Sequence, residues 1–266
     1  MDGGTVLMRI ATWNIMHGEH VRPEGFTDSV RAYQAAISAI GADICALQEV
    51  DYFHPRTQSV NQAGFAADSG DYPYWAFAPA FTFEDGVIRN ISARYPQIQT
   101  NAHSTTSPAY GIAILSKLPV AQWLHKKLPT ALWGGFITIP INGTPTRMWA
   151  KDHSRVALAA RYEDFIFINA HLSFVAIFAK IQLRSLAIWA QKLERKYKVP
   201  IVIAGDFNLR QVPQGWKSVF SGFTFPVWAP TEQIDYIVTR TGDCDAAVIE
   251  GFETSDHAAL IAELNL

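Results

Sequence analysis

Twice in this chain an apolar strand-like run, an amphipathic helix and a second apolar run follow one another. Both times the second run ends on an acid. In the first half a strand spans Val6 to Ile15, a helix Thr27 to Ile40 and a strand Asp43 to Val50, with Gln48 and Glu49 at its end. Thr27 suits an N-cap, Val30, Tyr33, Ile37 and Ile40 make the apolar stripe, and Gly41 sits at the stop. In the second half a strand spans Phe165 to Ala170 and ends at His171. A long helix follows over Ala176 to Lys198, with Phe178, Ile181, Leu186, Trp189, Leu193 and Tyr197 on one face. The strand Pro200 to Ala204 then ends at Gly205 and Asp206. The pattern suggests an internally duplicated α/β architecture.

Shorter alternating runs read as antiparallel strands: Gly111–Leu115, Phe136–Ile141, Arg155–Tyr162, Ile234–Thr239 and His257–Leu264. The stretch Tyr52 to Tyr110, rich in aromatics and prolines, reads as a long irregular insert, in which Tyr72–Phe77 suits a core strand. No stretch of Pro, Gly and Ser is long enough for a linker, so residues 1–266 are expected to form one domain.

Charge narrows the function classes. The chain has 22 basic and 24 acidic residues, a formal net charge of −2, and no evident basic run beyond a helix-end cluster at 195–198. Proteins that hold long nucleic acid by neutralising phosphates usually show a basic excess or stripe. Nucleic acid is therefore an allowed partner, but not the favoured one. Two cysteines far apart, Cys45 and Cys244, exclude a disulfide framework, and Cys45 reads as a buried thiol. Residues 1–9 lack a basic segment followed by an apolar one, and no apolar run approaches a membrane span. A cytoplasmic protein is expected, of unspecified oligomeric state.

The chemistry is carried by the ends of the strands. Asn14 follows one apolar run, Glu49 a second, Asn169 and His171 a third, and Asp206 and Asn208 a fourth. Asp235 lies inside the run Gln233–Val238, and Asp256 and His257 precede the last run. Each has an ordinary explanation: Asn14 or Asp206–Asn208 as turn residues, Glu49 as a solvated strand end, His171 as a satisfied structural histidine. Carboxylates, amides and imidazoles converging on one rim are not explained by packing.

In order along the chain stand Thr-Trp-Asn-Ile-Met-His-Gly (12–18), Leu-Gln-Glu-Val (47–50) and Tyr-Gly-Ile-Ala-Ile-Leu-Ser (110–116). Then come Asn-Ala-His-Leu (169–172), Gly-Asp-Phe-Asn (205–208), Ile-Asp-Tyr-Ile (234–237) and Ser-Asp-His (255–257). This set resembles the endonuclease/exonuclease/phosphatase superfamily over nearly the whole chain, and in particular its short bacterial-type phosphohydrolases. The resemblance implies a four-layered α/β/β/α sandwich, two packed and mostly antiparallel sheets flanked by helices.

The resemblance also implies roles. Glu49 is similar to the direct Mg²⁺ ligand. Asn14 is similar to its neighbour on the metal shell or a phosphate oxygen, and Asp256 to a further metal-shell carboxylate. Asp206 and Asn208 match the pair that places the attacking water and the phosphate. His257 matches the essential imidazole, Asp235 the carboxylate that orients it, and His171 a second phosphate-side imidazole. Arg155 is similar to a phosphate-facing arginine. Oxygen donors suit Mg²⁺, with Mn²⁺ as a substitute, and no Ser, Thr or Cys stands in this set as a nucleophile. The reaction expected is hydrolysis of a phosphoester by direct attack of water. The expected substrate is a small or lipid-like phosphodiester, read by aromatic walls, to which Trp133 and Trp228 are candidates. A metal-dependent DNA or RNA nuclease is the alternative, and a non-catalytic binding protein of the same fold is a third.

Overall fold

The computed structural model describes residues 7–18, 29–84, 87–90, 97–141 and 144–265. β1 (Leu7–Asn14) leads through α1 (Ser29–Ile40) to β2 (Ile44–Tyr52), α2 (Gln62–Ser69), β3 (Tyr74–Glu84), β4 (Val87–Asn90), β5 (Gln99–Thr100) and β6 (Ala109–Ser116). The chain continues through β7 (Gln122–Lys127), β8 (Gly135–Ile141), β9 (Thr144–Ala150), β10 (Val156–Arg161), β11 (Ile166–His171) and α3 (Ala176–Tyr197). It closes with β12 (Ile201–Asp206), β13 (Lys217–Ser218), β14 (Asp235–Thr239), β15 (Asp243–Gly251) and β16 (Ala258–Asn265). Val6 and the expected cap Thr27 lie outside the described residues.

Among the described residues the strands form two main sheets. The order β15-β16-β1-β2-β6-β3-β4, with β5 beside β3, makes an eight-stranded sheet, and β13-β14-β12-β11-β10-β7 a six-stranded one. β8 and β9 pair with each other in a separate ribbon. Each half of the chain supplies one parallel pair, β1 with β2 and β11 with β12, because a helix returns the chain to the same edge before the next strand begins. The other pairings are antiparallel.

Alternation sorts the side chains into three apolar layers. Ala11, Trp13, Cys45 and Leu47 face α1 and α2, meeting Tyr33, Ile37, Ile40 and Ala66. From the other face Ile10, Ile44, Ala46 and Ile114 meet Leu158, Phe167, Val202 and Ile237 of the second sheet. On the far side Ile168, Ile203 and Val238 pack on Leu183, Leu186, Ala190 and Leu193 of α3. Three cores between helices, sheet, sheet and helix make the four-layered sandwich. Burying each of the larger side chains contributes about 1.5–3 kcal/mol.

Several expectations need correction. Val30 and Ile181, assigned to the apolar stripes, are exposed, and Leu183 takes the place of Ile181. The stretch Tyr52 to Tyr110 is not a loop-rich insert. It holds α2 and the eleven-residue β3, whose Trp75, Ala76, Phe77 and Ala78 are buried in the first sheet. Of its aromatics Tyr52, Tyr72, Trp75, Phe77 and Phe81 are buried in the core, while Phe53, Phe65, Phe83 and Tyr110 are partly buried against it. β2 does not stop at Glu49 but runs on to Tyr52 through a bulge.

Candidate active site

The two parallel pairs end on the same rim, where the sandwich brings the first sheet to the second. Register sets His171 beside Asp206 across β11 and β12, and Asp206 beside Asp235 across β12 and β14. Just below the rim the sheets are tied by a buried amide network. Gln48 donates to Thr12 Oγ1 at 3.0 Å and to Asn169 Oδ1 at 2.8 Å, and Asn169 Nδ2 donates to the carbonyls of Leu47 and Ala113, each at 2.8 Å. Gln48 Oε1 is buried without a hydrogen-bond partner among the described residues, but these four bonds made by the two amides still fix one register between the layers.

Two backbone features aim the acids. The register between β2 and β6 shifts between Leu47 and Val50, and Glu49 sits in that bulge with φ 55°. A bulge re-aims a side chain, and left-handed backbone at a non-glycine residue costs about 1–3 kcal/mol. The glutamate therefore leaves the core at the rim instead of continuing the alternation. Gly205, just before Asp206, has φ 140°, and a Cβ there would strike the Ala170 carbonyl of β11. Only glycine fits, so Asp206 is delivered against β11 without a gap.

The side chains form one linked cluster. Asn14 Nδ2 donates to Glu49 Oε1 at 3.2 Å and to Asp206 Oδ2 at 3.1 Å, while its Oδ1 accepts from the Met16 amide at 3.1 Å. Asn208 donates to Asp206 from its backbone N–H at 2.8 Å and its side chain at 3.3 Å. His171 Nε2 stands 3.5 Å from Asp206 Oδ2, and His257 Nε2 3.9 Å from the same oxygen. His257 Nδ1 lies 2.9 Å from Asp235 Oδ2, and its Nε2 3.8 Å from Asp256 Oδ1. Thr224 Oγ1 donates to Asp235 Oδ2 at 2.6 Å, leaving the buried Asp235 Oδ1 without a hydrogen-bond partner among the described residues.

Burial and charge divide these groups. Burial first, and the Asp235 carboxylate second, push Asp206 above the usual carboxylate range. Burial alone would lower His257, but Asp235, Asp206 and Asp256 outweigh it and push the imidazole up to about 10. His257 is thus a cation at neutral pH. His171 goes the other way: burial, then the positive charges of Arg155 and His257, hold it well below the ordinary histidine range, so it is neutral. Asp256 is raised by burial, and the Glu49 carboxylate adds to that shift against the pull of His257. Glu49 and Asp256 are both partly open to solvent, unlike Asp206 and Asp235.

Of the residues expected at the site, Arg155 is outside this hydrogen-bonded cluster. Its guanidinium is held by Asp152 Oδ1, at 2.9 Å from Nη2 and 3.3 Å from Nε, although its charge is felt at both His171 and Glu49. Thr224, Asp152 and Ser255 support the site from outside the expected set. Ser255 Oγ donates to the Asn14 carbonyl at 2.6 Å and accepts from the His257 amide at 3.0 Å, pinning the last motif to the first. Ser255 had a signal as the first letter of Ser-Asp-His; Thr224 and Asp152 stand in loops with none. His17 lies beside the cluster, its Nδ1 3.7 Å from Glu49 Oε2. Trp133 and Trp228 are half exposed, with Trp133 against Phe178 of α3.

A family model described as the Endonuclease/Exonuclease/phosphatase family matches residues 11–257, which include every motif above. The chain belongs to the endonuclease/exonuclease/phosphatase family. Solved structures of similar fold include an endonuclease/exonuclease/phosphatase from Beutenbergia cavernae DSM 12333, 20% identical, covering 98% of this chain and 72% of that one with a TM-score of 0.67. The human Nocturnin catalytic domain with bound sulfate is 17% identical, covering 98% and 95% with a TM-score of 0.61. The mannosyl-6-phosphatase of Bacteroides thetaiotaomicron VPI-5482 is 15% identical, covering 97% and 100% with a TM-score of 0.54. No curated protein matches the chain. These endonuclease/exonuclease/phosphatase structures share its fold, and enzymes of the family hydrolyse phosphoester bonds.

Proposed function

We propose that this endonuclease/exonuclease/phosphatase protein is a divalent-metal-dependent phosphodiesterase that attacks phosphorus directly with water. Residues 1–266 act in this reading as one catalytic domain, since the site draws on both sheets. The observation that carries it is the linked cluster of Asn14, Asp206, Asn208, His171, His257 and Asp235, one buried acid facing a neutral and a cationic imidazole.

Glu49, Asn14 and Asp256 would hold the metal. The fit rests on the donors: oxygen atoms at a partly open position, with the Glu49 carboxylate raising Asp256 where a cation would relieve it. Asp206, Asp235 and His257 also have ligand atoms within 4.8 Å of one another. Asp235 Oδ2, however, is already engaged by His257 Nδ1 and Thr224 Oγ1, so this trio suits proton handling better than metal binding. When bound, Mg²⁺ or Mn²⁺ would neutralise charge on a phosphoryl oxygen.

The chain's own residues supply the rest. Asp206 orients a water and accepts its proton as the new P–O bond forms and the P–O bond to the leaving alkoxide breaks, the alkoxide taking a proton from solvent; the task suits a carboxylate raised toward neutral pH. Asn14 and Asn208 fix both Asp206 oxygens in place. His257, kept cationic by Asp235, donates to a phosphoryl oxygen as negative charge builds. Neutral His171 donates a second hydrogen bond, and Arg155 adds long-range positive potential.

The decisive assay compares bis-p-nitrophenyl phosphate, p-nitrophenyl phosphate and plasmid DNA with Mg²⁺, with Mn²⁺ and with EDTA. We expect metal-dependent turnover of the diester above the monoester, abolished by EDTA. At about 0.15 M salt, kcat/KM favouring duplex DNA by more than about a hundredfold would replace this reading with the nuclease one.

A further inference from the structure

The near-neutral total charge conceals an asymmetry. Residues 86–151 hold seven of the 22 basic residues and none of the 24 acidic ones. This is not a basic run; the asymmetry lies in the missing acids, which leave the scattered cations of this stretch without acidic neighbours in the sequence. The β8–β9 ribbon lies in this stretch, with Arg147 and Lys151 as its cations. Among the described residues it pairs with neither main sheet, and an isolated two-stranded ribbon is marginal in water.

Its surface is unusual for a protein exterior. Phe136 and Trp149 are opposite each other in the register, so they share one face, 63% and 55% exposed. Arg147, on the same face by alternation, holds its guanidinium carbon 4.5 Å from the Phe136 ring centroid. Met148 is exposed on the other face, and the approach to β8 exposes Leu132 (81%) and Trp133 (53%). Contiguous exposed apolar groups of this size mark an interaction surface. The ribbon returns to the body at Asp152, which grips Arg155 and accepts from Ser173 Oγ. The β10–β11 register sets that junction at the strand end where His171 stands.

We propose that the β8–β9 ribbon docks on a bilayer surface carrying anionic phospholipids. Tryptophan rings and aliphatic side chains sit at the headgroup boundary, and cations without acids among them match its negative potential. A second copy of this chain fits the charge less well, since a self-complementary contact would bring two patches with cations and no acids together. A nucleic-acid strand would leave Leu132 and Met148 unused, because neither offers a stacking plane. Docking itself needs no catalysis. Only its consequence, that the scissile phosphate belongs to a lipid, rests on the hydrolase reading.

The test is vesicle sedimentation in EDTA at about 0.15 M salt, with phosphatidylcholine alone and with about 30% phosphatidylglycerol. The intact protein is expected to partition at least about tenfold better onto the anionic vesicles. Phe136→Ser with Trp149→Ser should lower binding at least about tenfold while bis-p-nitrophenyl phosphate turnover in buffer stays within about twofold. Arg147→Glu with Lys151→Glu should abolish the anionic preference. Absence of partitioning by the intact protein, or partitioning insensitive to both double variants, overturns the proposal. So does a concentration-dependent dimer, or tight binding of a single-stranded oligonucleotide, that the Phe136/Trp149 variant loses. Vesicle binding without diester turnover would overturn the hydrolase reading and leave docking standing; turnover without vesicle binding would do the reverse.

Discussion

The two strand–helix–strand units, β1–α1–β2 and β11–α3–β12, are built alike and end at the same rim, yet they deliver different chemistry. The first presents Glu49 on a bulge, partly open to water, beside Asn14. The second presents Asp206 and His171 from regular strands, buried and shifted toward their neutral forms. Burial decides the difference. A carboxylate partly open to water suits a hydrated cation, whereas Asp206, enclosed by protein, is pushed above the usual carboxylate range. One architecture used twice can thus furnish a charge site and a proton site, according to whether the strand ends in a bulge or in the ladder.

Substitutions can break that comparison. The largest effect is expected from Asp206→Asn, with kcat down by ~10³ or more and no recovery with added metal, because the lost function is proton transfer and orientation. Rescue by high Mg²⁺ or Mn²⁺ would move Asp206 into the charge site. Glu49→Gln should lower kcat by at least ~10² and also raise the half-saturating Mg²⁺ concentration, with an unchanged circular dichroism spectrum. A metal titration curve identical to that of the parent would sink the assignment.

The pair Asp235 and His257 completes the second side. Asp235→Asn and His257→Ala should each cost activity, and the double variant should lose little more than His257→Ala alone, because the two act as a unit. Full multiplication of the single losses would refute the pairing.

Smaller effects sharpen the contrast in the first unit. Glu49→Gly removes a side chain held in left-handed backbone. It should abolish activity while stabilising the fold by about 1 kcal/mol, read as a rise of roughly 2–4 °C in Tm. A fall in Tm would mean that the contacts of Glu49 outweigh its strain. Cys45 lies on the same strand but deep in the core, where burial pushes its thiol up to about 12. A thiol reagent at about pH 8 should therefore modify only Cys244 in the native protein, and Cys45 only after unfolding. Native modification of both would show that the core of this unit opens.

Much of this protein was written in local pattern. The helices and the two parallel pairs follow from apolar spacing and stop signals, and the polar residues at strand ends marked the rim and carried the family resemblance. These features are legible because period and breaker residues act within a few positions of themselves. What the pattern left out depends on partners far away in the chain. β3 read as an insert because its burial comes from pairing with β6 and packing under α2, not from its own alternation. The bulge at Glu49 exists only against β6, so a run that seemed to end there continues. Thr224 and Asp152 gain their importance from Asp235 and Arg155, which the fold alone brings within bonding distance. The exposure of Phe136 and Trp149 was equally invisible, since an apolar alternating strand reads as buried until its place in the fold is known. The sequence by itself determined which residues could serve as acid, amide and imidazole and on which elements they ride. Only the tertiary structure decided which of them are desolvated and which meet water, because burial is a property of the layers that close around a strand, not of the strand.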